Sequence, residues 1–187
     1  RVSKGSIKGE IIMDEKKLYS PKVMKEILEK YGFKFSKGLG QNFLVDRNVI
    51  TNICDAAQIN DQTGVIEIGP GLGTLTQHLC NKAKKVIAIE IDTSLKEVHK
   101  ETLPYKNLEL IYDDFLKIDL NKLIIEKFDG LEVKVVANLP YYITTPIIMK
   151  ILEGKHKIKR IAIMVQKEVA ERLTAEPGTK EYGAITL

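Results

Sequence analysis

The sequence predicts an α/β fold in which a mainly parallel sheet carries helices on both faces. Short β-branched runs alternate with helical segments, and these runs are apolar throughout, as in strands that are covered on both sides. A glycine-rich loop also joins the first run to the next helix. We predict strands at Val65–Ile68, Val86–Ile91, Leu108–Ile111, Val133–Ala137 and Ile161–Val165.

Two helices are predicted before the first strand. Ser20 and Pro21 suit the N-cap and first turn of a helix that ends near Gly32, with an apolar stripe formed by Val23, Met24, Ile27 and Leu28. Asp46 is the predicted N-cap of the second, which carries Val49, Ile50, Ile53, Cys54 and Ala57 on one face. Later helices are predicted at Leu75–Lys82, Ser94–Thr102 and Pro146–Leu152.

Size and composition indicate one ordinary globular domain. The chain has 187 residues, of which 44% are hydrophobic and 29% charged, and its formal net charge is +4. Neither a signal peptide nor an apolar run long enough to cross a bilayer is visible, so we expect a cytoplasmic protein without membrane contact. Cys54 and Cys80 both fall in helical apolar patterns, which predicts buried free thiols.

The mildly basic charge suits contact with a polyanion without demonstrating it. Basic residues gather in two places, which are Lys30, Lys34 and Lys37, and then Lys155, Lys157, Lys159 and Arg160. On charge alone, two solvated faces explain these clusters as well as RNA does.

The loop from Glu67 to Gly73 is the first candidate binding element. Gly69, Gly71 and Gly73 recur at every second position, so the backbone can turn sharply and approach a ligand closely. The following helix would point its amide groups at the same place. A dinucleotide fingerprint has the spacing G-x-G-x-x-G, whereas this loop is G-x-G-x-G after an acid. We therefore predict S-adenosylmethionine as the cofactor, with Gly69 and Gly71 contacting it.

Two acids follow the next two strands. Glu90 ends the second predicted strand, where a carboxylate can accept hydrogen bonds from both ribose hydroxyls of a nucleoside. Asp113 and Asp114 end the third, where an acid can accept from the adenine amine of the cofactor. By position we favour Asp114 over Asp113.

The run Asn138-Leu139-Pro140-Tyr141 follows the fourth strand and is the most specific motif. Methyl transfer to an aromatic amine needs the nitrogen lone pair aligned with the methyl. The Asn138 amide oxygen and the Leu139 carbonyl can accept the two N–H groups of that amine. Pro140 would stiffen the turn, and Tyr141 offers a ring for a flipped-out adenine. A plain turn after the strand is the alternative.

Other chemistries find little support in the sequence. His78, His99 and His156 have no metal-ligand spacing, so no metal is predicted. No nucleophile elbow of the form G-x-S-x-G is present. The glycine spacing disfavours a nicotinamide-dependent oxidoreductase.

Taken together, these motifs resemble the ribosomal RNA adenine dimethyltransferases, from about Tyr31 to the end of the chain. The resemblance covers the loop, Glu90 and Asp114 described above. It also covers three further runs, which are Gly40-Gln41-Asn42-Phe43-Leu44, Asn138-Leu139-Pro140-Tyr141-Tyr142-Ile143-Thr144-Thr145-Pro146 and Gln166-Lys167-Glu168-Val169-Ala170-Glu171-Arg172-Leu173.

The resemblance implies a Rossmann-like methyltransferase fold and a substrate. Within the family, the run that starts at Asn138 is similar to the bacterial small-subunit branch, which implies N6,N6-dimethylation of two adjacent adenines near the 3′ end of 16S rRNA. The small ribosomal subunit is then the partner. Cofactor contacts are implied for Asn42, Leu44, Gly69, Glu90, Asp114 and Asn138, with Gln41 and Phe43 shaping a lid.

Two alternative functions stay open. One is a large-subunit rRNA methyltransferase of the antibiotic-resistance type, and the other is a non-catalytic module that binds RNA during ribosome assembly. The family has further strands and a helical C-terminal domain, and a new apolar segment begins at Ala184. We therefore expect residues 13–187 to be a C-terminally incomplete catalytic domain with weak or no activity. Residues 1–12 are expected to be a leader outside the fold.

Overall fold

A computed structural model describes residues 18, 20–32, 47–139, 143–180 and 182 of the chain. Five parallel strands form one sheet in the order β3-β2-β1-β4-β5. Their bounds are β1 Thr63–Ile68, β2 Lys85–Glu90, β3 Leu108–Tyr112, β4 Glu132–Asn138 and β5 Ile158–Met164. The predicted α/β architecture is confirmed.

Seven α-helices are described, and most of them connect consecutive strands. They are α1 Pro21–Lys30, α2 Arg47–Ala56, α3 Thr74–Lys82, α4 Lys96–Thr102, α5 Leu120–Phe128, α6 Thr144–Glu153 and α7 Lys167–Leu173. Short 3₁₀ turns at Thr93–Leu95 and Phe115–Lys117 precede α4 and α5.

Helices cover both faces of the sheet, as predicted. On one face, side chains of α5 and α6 pack against inward residues of the central strands, including Ile66, Ile87 and Val135. On the other face, α2 and α3 cover Val65, Val86 and Val136. A third cluster joins α1 and α4 to Leu72 of the glycine-rich loop. Burial of this apolar surface from both sides holds the sheet rigid, and its loops with it.

The order in which the chain adds strands to the sheet changes side after β3. After β1 the sheet grows outward through β2 and β3, and the chain then returns to place β4 on the other side of β1. In parallel α/β sheets, a crevice opens at the carboxyl ends of strands where the order reverses. The loops after β1, β2 and β4 therefore face one place.

The described elements depart from the predicted ones in several details. Helices α5 and α7 were not predicted. The α5 segment buries Leu120, Leu123, Ile124 and Phe128 at helical spacing, so its pattern was available, whereas α7 buries no residue. Strand β5 begins at Ile158, earlier than predicted. Among the described residues it is an edge strand and less buried than the central strands, but Ile158 and Ile163 pack on one face of the sheet and Ala162 and Met164 on the other.

The start and end of α1 agree with the prediction in position. Pro21 occupies the first turn after Ser20, but the Ser20 hydroxyl makes no capping hydrogen bond. Gly32 follows the helix with a φ of 71°, a conformation in which glycine is favoured. Lys30 and Tyr31 both donate to the Glu101 carboxylate, which ties the end of α1 to α4. The predicted cap Asp46 lies outside the described residues.

The second basic cluster lies at the amino end of the sheet. Lys159 and Arg160 belong to the first residues of β5, and the Arg160 guanidinium donates to the Gln58 side chain. The seven residues of β5, at about 3.3 Å each, separate this end of the sheet from the carboxyl ends of the strands by about 20 Å. Lys34 and Lys37 of the first cluster lie outside the described residues.

Both cysteines are buried free thiols, as predicted. Burial raises the pKa of Cys54 to about 11 and also raises the pKa of Cys80. Across the described part of the chain, none of the helices combines the length and apolar character that a membrane crossing requires.

Candidate active site at the carboxyl edge of the sheet

The glycine-rich loop after β1 adopts a conformation that requires glycine. Gly69, Gly71 and Gly73 have φ values of 68°, 57° and 91°, which side chains with a Cβ rarely adopt. The Gly69 amide donates to the Ile89 carbonyl over 2.9 Å, which joins the loop to β2. A Cβ on Gly73 would lie 2.6 Å from the Leu103 side chain. The loop is thus held close to its neighbours, with Gly73 as the N-cap of α3.

Glu90 lies at the end of β2, as predicted, and holds the loop from the side. Its carboxylate accepts from the Gly71 amide over 3.1 Å and from the Asp92 amide over 2.9 Å. Burial raises the pKa of Glu90, and the two backbone amides oppose that shift by stabilising the charged form. Each carboxylate oxygen has a second lone pair, so Glu90 can accept further hydrogen bonds from a ligand.

Glu67, the acid that opens the loop motif, is a buried carboxyl at the end of β1. Burial raises its pKa to about 8, the charge of Glu90 adds to that shift, and the Thr76 hydroxyl opposes it. Within the part of the chain that the structure describes, its Oε2 atom has no hydrogen-bond partner. Burial therefore favours the neutral carboxylic acid form of Glu67.

Asp113 and Asp114 follow β3 and differ in their hydrogen bonds and in their exposure to solvent. The Asp114 carboxylate caps the turn at Phe115–Lys117 by accepting from the Leu116 amide over 2.9 Å, and it lies 3.9 Å from the Lys117 ammonium. Asp113 is exposed and accepts from the Asp114 amide. The Asp114 side chain is more enclosed, which fits the predicted preference for it.

Asn138 ends β4 and Leu139 follows it directly. Asn138 pairs with Met164 of β5, and the Leu139 amide donates to the Met164 carbonyl over 3.3 Å. Leu139 is buried, and α6 begins at Thr144. The first half of the predicted motif is therefore fixed by strand pairing and by packing.

These residues lie along one edge of the sheet. Strand register aligns Glu90 with Tyr112, and it aligns Ile68 with both Ile89 and Ala137. Glu90 and Asn138 therefore lie level with each other on either side of Gly69. Two strand spacings separate them by about 10 Å. The structure thus brings together Gly69, Gly71, Glu90 and Asn138, with Asp114 one strand further out.

Several predicted site residues are outside the described part of the chain. They are Gln41, Asn42, Phe43, Leu44, Pro140 and Tyr141. Their roles stay predictions.

The structure adds Ile91, His99 and Tyr112, which were not predicted from sequence to belong to the site. Ile91 follows Glu90 and is 66% exposed, which is unusual for an isoleucine beside a buried acid. His99 of α4 is buried and lies within hydrogen-bond distance of the Gly71 carbonyl and the Tyr112 hydroxyl. A helical histidine gives no such indication in sequence, because its partners come from other elements.

No cluster of three or more histidine, cysteine, aspartate or glutamate side chains suited to a metal ion occurs among the described residues. The predicted absence of a metal stays a prediction.

Comparison with known proteins places this chain in a family. The family model described as ribosomal RNA adenine dimethylase matches residues 32–187. The ribosomal RNA small subunit methyltransferase A of Alkaliphilus oremlandii is 56% identical over 91% of this chain. The match covers 60% of that relative, so the chain spans less than two thirds of its length.

Solved structures with the same fold include a dimethyladenosine transferase and a 23S rRNA methyltransferase. A dimethyladenosine transferase from Plasmodium falciparum is 36% identical, with a TM-score of 0.62 over 75% of this chain and 49% of its own. The 23S rRNA methyltransferase ErmE is 31% identical, with a TM-score of 0.63 over 73% of this chain and 53% of its own. The fold is the Rossmann-like methyltransferase fold, and the chain belongs to the ribosomal RNA adenine dimethylase family.

Proposed function

We propose that residues 13–187 form the catalytic domain of an S-adenosylmethionine-dependent enzyme that dimethylates N6 of two adjacent adenines near the 3′ end of 16S rRNA. The observation that supports this best is the level placement of Glu90 and Asn138 on either side of the glycine loop. Its partner would be the small ribosomal subunit, in the cytoplasm. Residues 1–12 would lie outside this domain.

The cofactor end of the site fits a nucleoside that carries no pyrophosphate. Three glycines with positive φ leave the loop backbone open to close approach. Glu90 has lone pairs left for two ribose hydroxyls, and it would repel a 2′-phosphate. The exposed Ile91 next to it offers an apolar surface for an adenine ring. Asp114 would accept from the adenine amine, and Asn42 and Leu44 would complete the pocket.

The chemical end of the site supplies hydrogen-bond acceptors. When bound, the cofactor supplies a methyl group on a positively charged sulfur. The Asn138 amide oxygen and the Leu139 carbonyl would accept the two N–H groups of the target adenine, which favours a pyramidal nitrogen with a directed lone pair. The nitrogen forms the new bond to carbon, the bond from carbon to sulfur breaks, and the displaced proton passes to water. Stacking on Tyr141 would hold the flipped-out base.

The small-subunit substrate is favoured over the large-subunit one by the relatives. Identity is 56% to the small subunit methyltransferase and 31% to ErmE. Since both branches methylate the same atom of adenine, the substrate has to be distinguished by experiment.

Transfer of a radiolabelled methyl group tests this function. An extended chain is made by putting this chain in place of the matching part of the Alkaliphilus oremlandii relative, because the match covers 60% of that protein. We expect four methyl groups per unmethylated small subunit, two on each of the two adenines, and none on naked 23S rRNA fragments. Labelling of the 23S fragments would support the large-subunit alternative. Tight binding to subunits without any labelling would support a non-catalytic assembly module. The unextended chain, assayed in parallel, should be weakly active or inactive.

A further inference from the structure

A buried histidine lies behind the glycine loop. His99 belongs to α4 and is 1% exposed, so both of its ring nitrogens must find partners inside the protein. Its Nε2 atom lies 2.6 Å from the Gly71 carbonyl oxygen, and its Nδ1 atom lies 2.7 Å from the Tyr112 hydroxyl. The rings of His99 and Tyr112 also stack, with centroids 5.9 Å apart.

The chemistry of these partners fixes the histidine tautomer. A carbonyl oxygen can only accept, so Nε2 must carry the proton that is donated to Gly71. In the neutral ring Nδ1 is then an acceptor, and the Tyr112 hydroxyl donates to it. The hydrogen bonds therefore run in one direction, from Tyr112 through His99 to the loop.

The Gly71 residue is consequently held from two sides. Its N–H donates to Glu90 at the end of β2, and its carbonyl accepts from His99 of α4. Gly71 has a φ of 57° and no side chain, so nothing else about the residue itself fixes its orientation. The two hydrogen bonds supply that constraint.

We propose that His99, whose Nε2–H donates to Gly71 and whose Nδ1 accepts from Tyr112, is a positioning residue that fixes the Gly71 carbonyl and so shapes the loop for cofactor binding. This inference rests on the proposed function, because it assigns the loop to S-adenosylmethionine. We assign His99 no contact with cofactor or RNA. It acts through Gly71.

Protonation of His99 would disturb this arrangement. Burial lowers the pKa of His99, while the Gly71 carbonyl and the charge of Asp92 oppose that shift. The other charged or titratable groups around the site are Glu90, Lys96, Glu97 and Tyr112. In the charged ring Nδ1 also becomes a donor, so the Tyr112 hydroxyl would have to reverse from donor to acceptor, and a charge would lie at a site shielded from solvent. Cofactor affinity should therefore fall as the pH drops below the ordinary histidine range.

Calorimetric titration with S-adenosylhomocysteine tests the role directly. His99→Leu removes the donor and should weaken binding by about tenfold, the size of one buried hydrogen bond. His99→Gln keeps an N–H near Gly71 and should recover most of the affinity. Tyr112→Phe leaves the ring in place but removes the hydroxyl that donates to Nδ1, so a loss of about threefold is expected. His156→Gln, at a half-buried histidine in the loop before β5, is the control and should change nothing.

Nitrogen-15 NMR of the imidazole ring gives a second readout that does not depend on the cofactor. In the unaltered chain at pH 7.5, we expect Nε2 to be protonated and Nδ1 to be an acceptor. Tyr112→Phe should shift the Nδ1 resonance, because the donor to that nitrogen is lost. The inference is overturned if Nδ1 carries the proton, or if folded His99→Leu binds as tightly as the unaltered chain. Should His99→Leu not fold, the other two variants decide: a large loss of affinity in folded His99→Gln, or an unchanged affinity in Tyr112→Phe, would overturn the inference. Absence of any binding by the unaltered chain would overturn the proposed function, and the inference with it.

Discussion

The two ends of the site are held in different ways. At the cofactor end, Gly71, Glu90, His99 and Tyr112 come from a loop, two strands and a helix, and side-chain hydrogen bonds connect them. At the chemical end, Asn138 and Leu139 are consecutive in sequence, and pairing of β4 with β5 holds them. Substitutions far away in sequence should therefore disturb cofactor binding, whereas the acceptor geometry should depend on the strand pair.

The largest effect is expected at the chemical end. Asn138→Ala removes an acceptor for the target amine, so kcat for methyl transfer by the extended chain should fall by about 100-fold or more, as for loss of a group that stabilises a transition state. Asn81→Ala, at an exposed asparagine in the last turn of α3, is the matched control. Equal kcat values for the two variants would contradict the assigned role.

A pH-dependent effect on stability is expected beneath the cofactor end. The folded pKa of Glu67 is about 8 against an ordinary value of 4.5, so its contribution to stability is complete below pH 4.5 and is lost as the pH rises to about 8. Glu67→Gln abolishes that titration. Relative to the unaltered chain, the variant should gain on the order of 3 kcal/mol of unfolding free energy between pH 5 and pH 8.

Urea denaturation at the two pH values measures this difference. If the free energy of unfolding changes between pH 5 and pH 8 by the same amount in Glu67→Gln and in the unaltered chain, Glu67 is not a buried neutral acid.

Glu90→Gln should weaken binding of S-adenosylhomocysteine by about 10- to 100-fold, since hydrogen bonds to a charged group contribute about 1.5–3 kcal/mol. Gln offers one acceptor, and its NH₂ group would face one of the two amides that Glu90 now accepts from. Asp92→Asn keeps the oxygen that accepts from the Ser94 amide and should stay within about threefold of the unaltered chain. Calorimetry measures the affinity of both variants. A loss of affinity for Glu90→Gln of less than about tenfold would contradict the proposed ribose contact.

The smallest effect is expected at the outer strand. Asp114→Asn should reduce cofactor affinity by about fivefold, because the amide accepts more weakly than the carboxylate. Asp113→Asn changes its exposed neighbour and should have no effect. If calorimetry gives the reverse order, the preference for Asp114 over Asp113 is wrong.

A site residue could be predicted from sequence where its role depends on local features of the chain, and not where its role depends on packing between elements. The glycine loop, Glu90 and Asn138 were predictable because glycine spacing and strand ends are local features of the chain. His99 and Tyr112 were not, because their importance comes from the packing of α4 against β3 and the loop. Helix α5 was missed although its buried residues follow helical spacing. The partial exposure of β5 was missed because strand order decides which of the described strands lies at an edge.

A crystal structure of this chain with S-adenosylhomocysteine would show whether the cofactor binds between Glu90 and Asn138 as proposed. We predict both ribose hydroxyls within about 3 Å of the Glu90 carboxylate, as in ordinary O–H···O hydrogen bonds, and the sulfur on the side of Asn138. Density for the ligand away from the glycine loop, or with its ribose turned from Glu90, would contradict the account.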